Sequence, residues 1–212
     1  MENCVIFCAG AFDFPAEPIT CDDYLVAADG GFSHLQALDL TPQAIIGDFD
    51  SLGHIPNGAM VFPVEKDDTD SMLAIRHGLA QGYHRFLLYG ALDGPRLDHT
   101  IANLQALQFL ADHQAQGFLI GSHQIATVIK NQTLRFSPDA QGILSVFCMG
   151  SDATGVGIRG LKYSLENGTL SAGFPLGVSN HFIGKPGEIT VTNGSLLVIF
   201  PRTVPLPEVT PC

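Results

Sequence analysis

Ala44-Ile45-Ile46-Gly47-Asp48-Phe49-Asp50-Ser51 carries an apolar run straight into two aspartates spaced i, i+2. Ala44, Ile45 and Ile46 read as the buried end of a strand, and a glycine at 47 lets the chain turn with no Cβ in the way. Carboxylates at the mouth of a parallel strand stand where open α/β sheets bind their ligands. Two so close repel each other unless a cation lies between them, which points to Mg²⁺. Taken alone, Asp48 and Asp50 have a plainer reading as a turn rich in Asx hydrogen bonds.

Working outward, three more acidic clusters stand at similar places. Val26-Ala27-Ala28-Asp29-Gly30-Gly31 again ends an apolar run with Asp and then glycines. Lys66-Asp67-Asp68-Thr69-Asp70-Ser71 precedes the amphipathic Met72-Leu73-Ala74-Ile75, and Gly94-Pro95-Arg96-Leu97-Asp98-His99 follows the strand-like Phe86-Leu87-Leu88-Tyr89. If the strands are parallel and adjacent, four Asp-bearing strand ends make one acidic rim. With Lys66 and Arg96 in it, the rim suits a metal–polyphosphate complex: carboxylates for Mg²⁺, cations for phosphate oxygens. No G-x-x-x-x-G-K-[ST] occurs, so phosphate is cradled some other way. Each residue also has a bland reading. Asp29 is an ordinary turn residue, Asp67 to Asp70 a helix N-cap cluster, Arg96 and Asp98 a surface ion pair, His99 a cap-region residue and Tyr163 sheet packing. Independent turns, however, have no reason to share a rim.

The bulk composition fits this. A chain of 212 residues with 46% hydrophobic and 15% charged residues folds as one large domain or two small ones. A net charge of −11 argues against nucleic acid and anionic membrane as partners, but not against a nucleotide whose Mg²⁺ brings the compensating charge. The five cysteines (Cys4, Cys8, Cys21, Cys148, Cys212) form no C-x-x-C pair, so neither a zinc site nor a disulfide framework is expected, and Cys4 and Cys8 read as buried thiols. With no basic n-region and no apolar run near the ~20 residues of a membrane span, the expected address is cytoplasmic.

Residues 1–123 alternate short apolar runs with helical patterns, the signature of α/β with a mostly parallel sheet. Strands are expected at 4–9, 24–28, 44–46, 60–62, 86–89 and 117–120, and helices around 32–38, 70–81 and 99–114. In the last helix Ile101, Leu104, Leu107, Phe109 and Leu110 form an apolar stripe, and Thr69 or Asp70 caps the middle one. Residues 124–212 change to short β-type runs, at 126–130, 133–136, 143–148, 157–161, 188–191 and 196–200. Asn167-Gly168 and Asn193-Gly194 suggest hairpins. This half reads as an all-β sandwich or jelly-roll-like barrel with an irregular proline-rich tail over 201–212.

The segments Ala28-Asp29-Gly30-Gly31, Gly47-Asp48-Phe49-Asp50-Ser51, Asp67-Asp68-Thr69-Asp70, Gly94-Pro95-Arg96-Leu97-Asp98-His99, Gly160-Leu161-Lys162-Tyr163 and Gly177-Val178-Ser179-Asn180 stand in the order found in thiamine pyrophosphokinases. The chain resembles that family from its first strand to its last. The resemblance implies a Rossmann-like ATP/Mg-binding catalytic domain and a β-sandwich thiamine-binding domain. It implies transfer of pyrophosphate from ATP to the hydroxyl of thiamine, giving thiamine diphosphate and AMP. Asp48, Asp50 and Asp70 match metal-holding carboxylates; Asp98 matches a carboxylate near the thiamine hydroxyl, orienting it or, as a weaker option, acting as base. Arg96 would grip phosphate and Lys66 add a point charge, while Asp29, Gly30, Asp67 and Thr69 match the nucleotide-binding segments. Tyr163, where some relatives carry Trp, would stack on the cationic substrate, and Ser179 and Asn180 would bond its aminopyrimidine edge. The resemblance further implies a homodimer with the thiamine site near the subunit interface. Two rival readings are a metal-dependent nucleotide or phosphoester hydrolase, which shares the rim but needs no aromatic pocket, and a non-catalytic thiamine or nucleotide sensor.

Overall fold

The computed structural model describes residues 2–50, 52–65 and 67–212. They fall into two compact units, one running up to Ala106 together with Gly117–Ser122, the other Leu107–Gln116 with His123–Cys212. The chain thus combines a sheet flanked by helices with a second, all-antiparallel sheet.

The first unit is built from β1 (Cys4–Phe7), β2 (Tyr24–Ala28), α1 (Gly31–Ala37), β3 (Ala44–Gly47), β4 (Met60–Val61), α2 (Asp70–Ala80), β5 (Arg85–Tyr89), the part of α3 (Leu97–Asp112) up to Ala106, and β6 (Gln116–Ile120) from Gly117 on. Its strands lie in the order β6-β5-β1-β2-β3-β4. β1 runs parallel to both β2 and β5, β2 to β3, and β3 to β4. All four residues of β1 are buried, as a central parallel strand covered on both faces requires; that is why Cys4 to Phe7 read as unbroken hydrophobicity rather than alternation. β2 and β3 continue on one side of β1 while β5 lies on the other, so the strand order reverses between β1 and β5. A crevice opens beyond the carboxyl ends of strands at such a reversal.

α2 buries Ser71, Ala74, Ile75 and Gly78, one stripe at helical spacing. Thr69 caps it by accepting the Met72 N–H at 3.3 Å, a contact worth about 1 kcal/mol. α3 departs from expectation. It starts at Leu97 rather than 99, and its buried face carries Ala106, Leu107 and Leu110, whereas Ile101 is half exposed. Among the described residues no helix is long and apolar enough to cross a membrane.

The second unit contains β7 (Gln124–Lys130), β8 (Gln132–Phe136), β9 (Ile143–Cys148), β10 (Ala153–Arg159), β11 (Leu165–Leu170), β12 (Gly177–His181), β13 (Gly187–Thr190), β14 (Ser195–Pro201) and β15 (Glu208–Pro211). One antiparallel group has the order β12-β9-β14-β7, the other β11-β10-β13-β8-β15. Phe136 of β8 meets Phe200 of β14 edge-on, 5.2 Å between ring centroids, and so joins the two groups through a shared core. Three expectations are corrected. The tail is not irregular throughout: β15 pairs with β8, Val209 opposite Leu134. Asn167-Gly168 is no hairpin turn but lies inside β11, where Asn167 takes φ 45° and the register with β10 slips. Asn193-Gly194 links β13 to β14, which belong to different groups, so it carries the chain from one to the other instead of folding it back.

Candidate active site

The site begins with two left-handed residues. Asp29, one residue past β2, has φ 47° and gives its N–H to the Ile46 carbonyl at 2.8 Å, fastening it to β3. A Cβ on Gly47 would lie 3.0 Å from the Asp29 Cα and 3.1 Å from its N and Cβ. Gly47 is therefore needed for the close approach of the two strand ends, not for the turn itself. The turn's left-handed residue is Phe49, at φ 61° and only 2% exposed. A bulky side chain resists this conformation by about 1–2 kcal/mol, and burial of the phenyl ring offsets that cost. Asp48 and Asp50 flank Phe49, and the Asp50 N–H reaches Asp48 Oδ1 at 3.3 Å.

The outcome is a carboxylate trio. Asp29, Asp48 and Asp50 each offer one oxygen, all within 4.8 Å of one another. An all-oxygen, anionic donor set fits a hard divalent cation such as Mg²⁺. Asp29, expected beside the nucleotide, thus joins the two expected metal carboxylates, while Asp70 lies outside this trio.

Asp70 lines the same cleft, which has a volume of about 590 Å³. Asp29, Asp48, Asp50, Thr69, Asp70 and Arg96 all face it, so the structure brings most of the expected rim together. Gly30, the N-cap of α1, together with Asp67 and Asp98, is not among the lining residues. Lys66 lies outside the described residues. Asp68 and Asp93 also line the cleft but are engaged elsewhere, Asp68 with Arg76 at 3.0 Å and Asp93 with the Ser122 N–H. His99 lines it too.

Arg96 forks onto Asp98, both side chains about two-thirds exposed. The guanidinium hydrogen bonds hold the Asp98 carboxyl below the usual carboxylate range. Cys8 belongs to the cleft wall. Its thiol is pushed up to about 12 by burial, with a further contribution from the charge of Asp70, so it stays protonated and is no nucleophile.

Several lining residues carry no sequence signal. Cys8 to Gly10 after β1, and Gly90 and Ala91 after β5, form the wall at the strand-order reversal. There the Gly10 N–H meets the Gly90 carbonyl at 2.9 Å, and a Cβ on Gly90 would lie 2.5 Å from the Cys8 carbonyl. Ser71 and Asn103 line the cleft as well, at positions where serine and asparagine suggest only helix polarity.

The thiamine-side expectations fall in the second unit. Tyr163 is 57% exposed, in the bend ahead of β11, with the Lys162 ammonium 5.3 Å from its ring centroid. Asn180 is 5% exposed, and its amide is committed to backbone: Oδ1 accepts the Tyr163 N–H at 3.0 Å and the His181 N–H at 2.9 Å, and Nδ2 donates to the Tyr163 carbonyl at 2.7 Å. It clips the Tyr163 bend in place. Ser179 is exposed with φ 62°, at the register slip between β12 and β9, and its N–H bonds Ser145 Oγ at 3.1 Å.

Comparison with known proteins converges on one family. Residues 17–119 match the family model "Thiamin pyrophosphokinase, catalytic domain", and residues 131–196 match "Thiamin pyrophosphokinase, vitamin B1 binding domain". The thiamine pyrophosphokinase of Bacillus subtilis (strain 168) is 28% identical over 193 residues, covering 82% of this chain and 85% of the relative. A crystal structure of Bacillus subtilis thiamine pyrophosphokinase has the same fold, with TM-score 0.84 at 21% identity over 94% of this chain and 99% of that one. The Geobacillus thermodenitrificans structure gives TM-score 0.77 at 25% identity, covering 95% and 97%. That of Candida albicans gives 0.72 at 17%, covering 94% and 88%. The two family models together span most of the sequence, and the chain belongs to the thiamine pyrophosphokinase family.

Proposed function

We propose that this chain transfers the β,γ-pyrophosphoryl group of ATP to the hydroxyethyl oxygen of thiamine, giving thiamine diphosphate and AMP. One observation carries the reading: in a chain of this family, the carboxylates of Asp29, Asp48 and Asp50 converge within 4.8 Å in a cleft at the ends of β2 and β3. These three would hold Mg²⁺, and Asp70, in the same cleft, is the further carboxylate we assign to the metal. When bound, Mg²⁺ neutralises charge on the triphosphate and so opens the β-phosphorus to attack. Thr69 and Gly30 serve the nucleotide side, and Arg96 can share its guanidinium between Asp98 and phosphate oxygens.

The thiamine oxygen forms a bond to the β-phosphorus while the bond from that phosphorus to the α–β bridging oxygen breaks. AMP leaves with the bridging oxygen. The hydroxyl proton departs to a carboxylate or to solvent. Asp98, held ionised by Arg96, makes a poor base, which favours the orienting role. Positioning and electrostatics dominate such transfers, so a strong base is not required. Tyr163 offers a face to the cationic ring, Ser179 a hydrogen bond, and Asn180 fixes Tyr163.

The exposed Tyr163, Phe174, Leu176 and Val178 support a homodimer with thiamine near the subunit interface. The five free cysteines fit a reducing cytoplasm. Rossmann-like and sandwich or jelly-roll-like are the finer fold descriptions we favour for the two units. The test is AMP release from ATP and Mg²⁺ with and without thiamine. One AMP per thiamine diphosphate, formed only with thiamine, is expected; ADP or phosphate released regardless of thiamine would overturn the reading in favour of a hydrolase.

A further inference from the structure

A chain of hydrogen bonds runs past Asp70 and joins α2, α3 and the loop after β5. Thr69 Oγ1 accepts the Met72 N–H at 3.3 Å and lies 3.0 Å from Ser71 Oγ. Ser71 Oγ donates to Asn103 Oδ1 at 2.8 Å, and Asn103 Nδ2 donates to the Ala91 carbonyl at 2.7 Å. The Ala91 carbonyl accepts only, so it fixes which end of the Asn103 amide faces it, and the amide oxygen is left to face Ser71. A serine hydroxyl has a single proton. Since Ser71 gives its proton to Asn103, the link between Thr69 and Ser71 runs from the Thr69 hydroxyl to the Ser71 oxygen. Every bond then points the same way, from the α2 backbone through Thr69, Ser71 and Asn103 to Ala91. Bonds linked head to tail polarise one another, so the chain acts as a unit.

Its placement gives it a task. Asp70 sits between Thr69 and Ser71, two members of the chain, and Ala91 opens the loop that carries Arg96. Thr69, Asp70, Ser71, Ala91 and Asn103 all line the cleft. We propose that Ser71 and Asn103 are positioning residues of this active site, holding Asp70 and the start of α2 at a set distance from the Arg96 loop. The proposal rests on the phosphotransfer reading for what is positioned. Losing either residue leaves Thr69 able to cap α2 but with a less polarised hydroxyl, so the helix survives while its acidic end shifts and the Met72 N–H is held less firmly.

The test compares wild type with Ser71→Ala, Asn103→Ala, the double variant and Ser71→Thr. Thr133→Val, which breaks the part-buried Thr133–Thr190 hydroxyl pair of the second unit (3.0 Å), serves as control. Each alanine variant is expected to lose roughly 10- to 100-fold in kcat/KM for Mg-ATP, the range seen when a supporting hydrogen bond is removed. The double variant should lose no more than the worse single one, because one broken link disables the unit. Ser71→Thr keeps the hydroxyl and should recover most of the rate. The control should lower Tm and leave kcat/KM unchanged. Alanine variants within about twofold of wild type, or losses that multiply in the double variant, would overturn the proposal. Wild type is assayed first for thiamine-dependent AMP, so failure there counts against the function alone. Hydrogen exchange at the Met72 amide, read without substrate, still decides the relay: Asn103→Ala should accelerate it, and unchanged exchange would sink the idea.

Discussion

Arg96 grips Asp98 at both oxygens, Nη2 lying 2.5 Å from Oδ2 and Nε 3.2 Å from Oδ1. The hydrogen bonds favour the ionised carboxylate, so the charge of Asp98 persists to lower pH than that of a free aspartate. In Arg96→Ala the carboxyl returns toward its ordinary range. If turnover needs ionised Asp98, the acid limb of the kcat profile should move to higher pH. Both side chains are exposed, so melting temperature should hardly change. An acid limb that stays in place would assign it to another group.

Gly47→Ala tests the approach of β3 to Asp29. The new Cβ would meet backbone at 3.0 to 3.1 Å, which cannot swing aside as a flexible side chain could. A stability loss of about 1–3 kcal/mol is expected from overpacking. The Mg²⁺ concentration giving half-maximal rate should rise more than the KM for thiamine. Metal titration of the rate, beside thermal melts, checks both.

At Phe49 the usual preference for alanine over glycine should invert. Phe49→Ala removes a buried ring, about 3–5 kcal/mol, and leaves a Cβ in left-handed backbone. Phe49→Gly loses the same ring but relieves the strain, so it should be the more stable of the two by about 1 kcal/mol. Denaturant midpoints of the pair decide the matter.

Asn180→Ala cuts the three bonds that hold the Tyr163 bend and His181. Losing three hydrogen bonds to part-buried backbone groups should cost about 1–3 kcal/mol. The kinetic signature should be a raised KM for thiamine with little change in that for ATP. Equal loss on both substrates would show the clip to be general scaffolding.

His77 gives the first unit a pH-dependent stability. Burial beside Tyr24, whose hydroxyl lies 2.9 Å from Nε2, holds its pKa below the ordinary value of 6.5. The unfolded chain therefore takes up the proton first as pH falls. This group's contribution is intact above about 6.5 and is lost as pH drops through that value toward the lower folded one. Urea titrations between pH 8 and 5 should show the decline, and His77→Gln should flatten it.

The first unit was legible where its central strands are covered on both faces. Tyr24 to Ala28 and Ala44 to Gly47 announce themselves by unbroken apolar runs, and Thr69 marks the start of α2 by its capping chemistry. β11, β12 and β15 were illegible for the opposite reason. They are edge strands with few buried residues, and β12 and β15 take their order from partners distant in sequence. In the site, carboxylates betray themselves by type. Gly47 as a spacer, the left-handed Phe49 and the Ser71–Asn103 link depend on contacts that residue types do not encode.

Burial of β1 gives the protein a chemical clock. Cys4 is fully buried and Cys8 nearly so, and burial pushes both thiols up to about 12. Thiolates, not thiols, take alkylating reagents, so Cys4 cannot react until β1 parts from its neighbours, whereas Cys8, in the cleft wall, is reached from the cleft. Cys21 and Cys212, exposed, take label at once. Labelling of Cys4, followed by peptide mass apart from Cys8 and the half-buried Cys148, therefore counts openings of the strand on which β2 and β5 both hang, and its slowing by nucleotide would report how far the bound ligand tightens those strands.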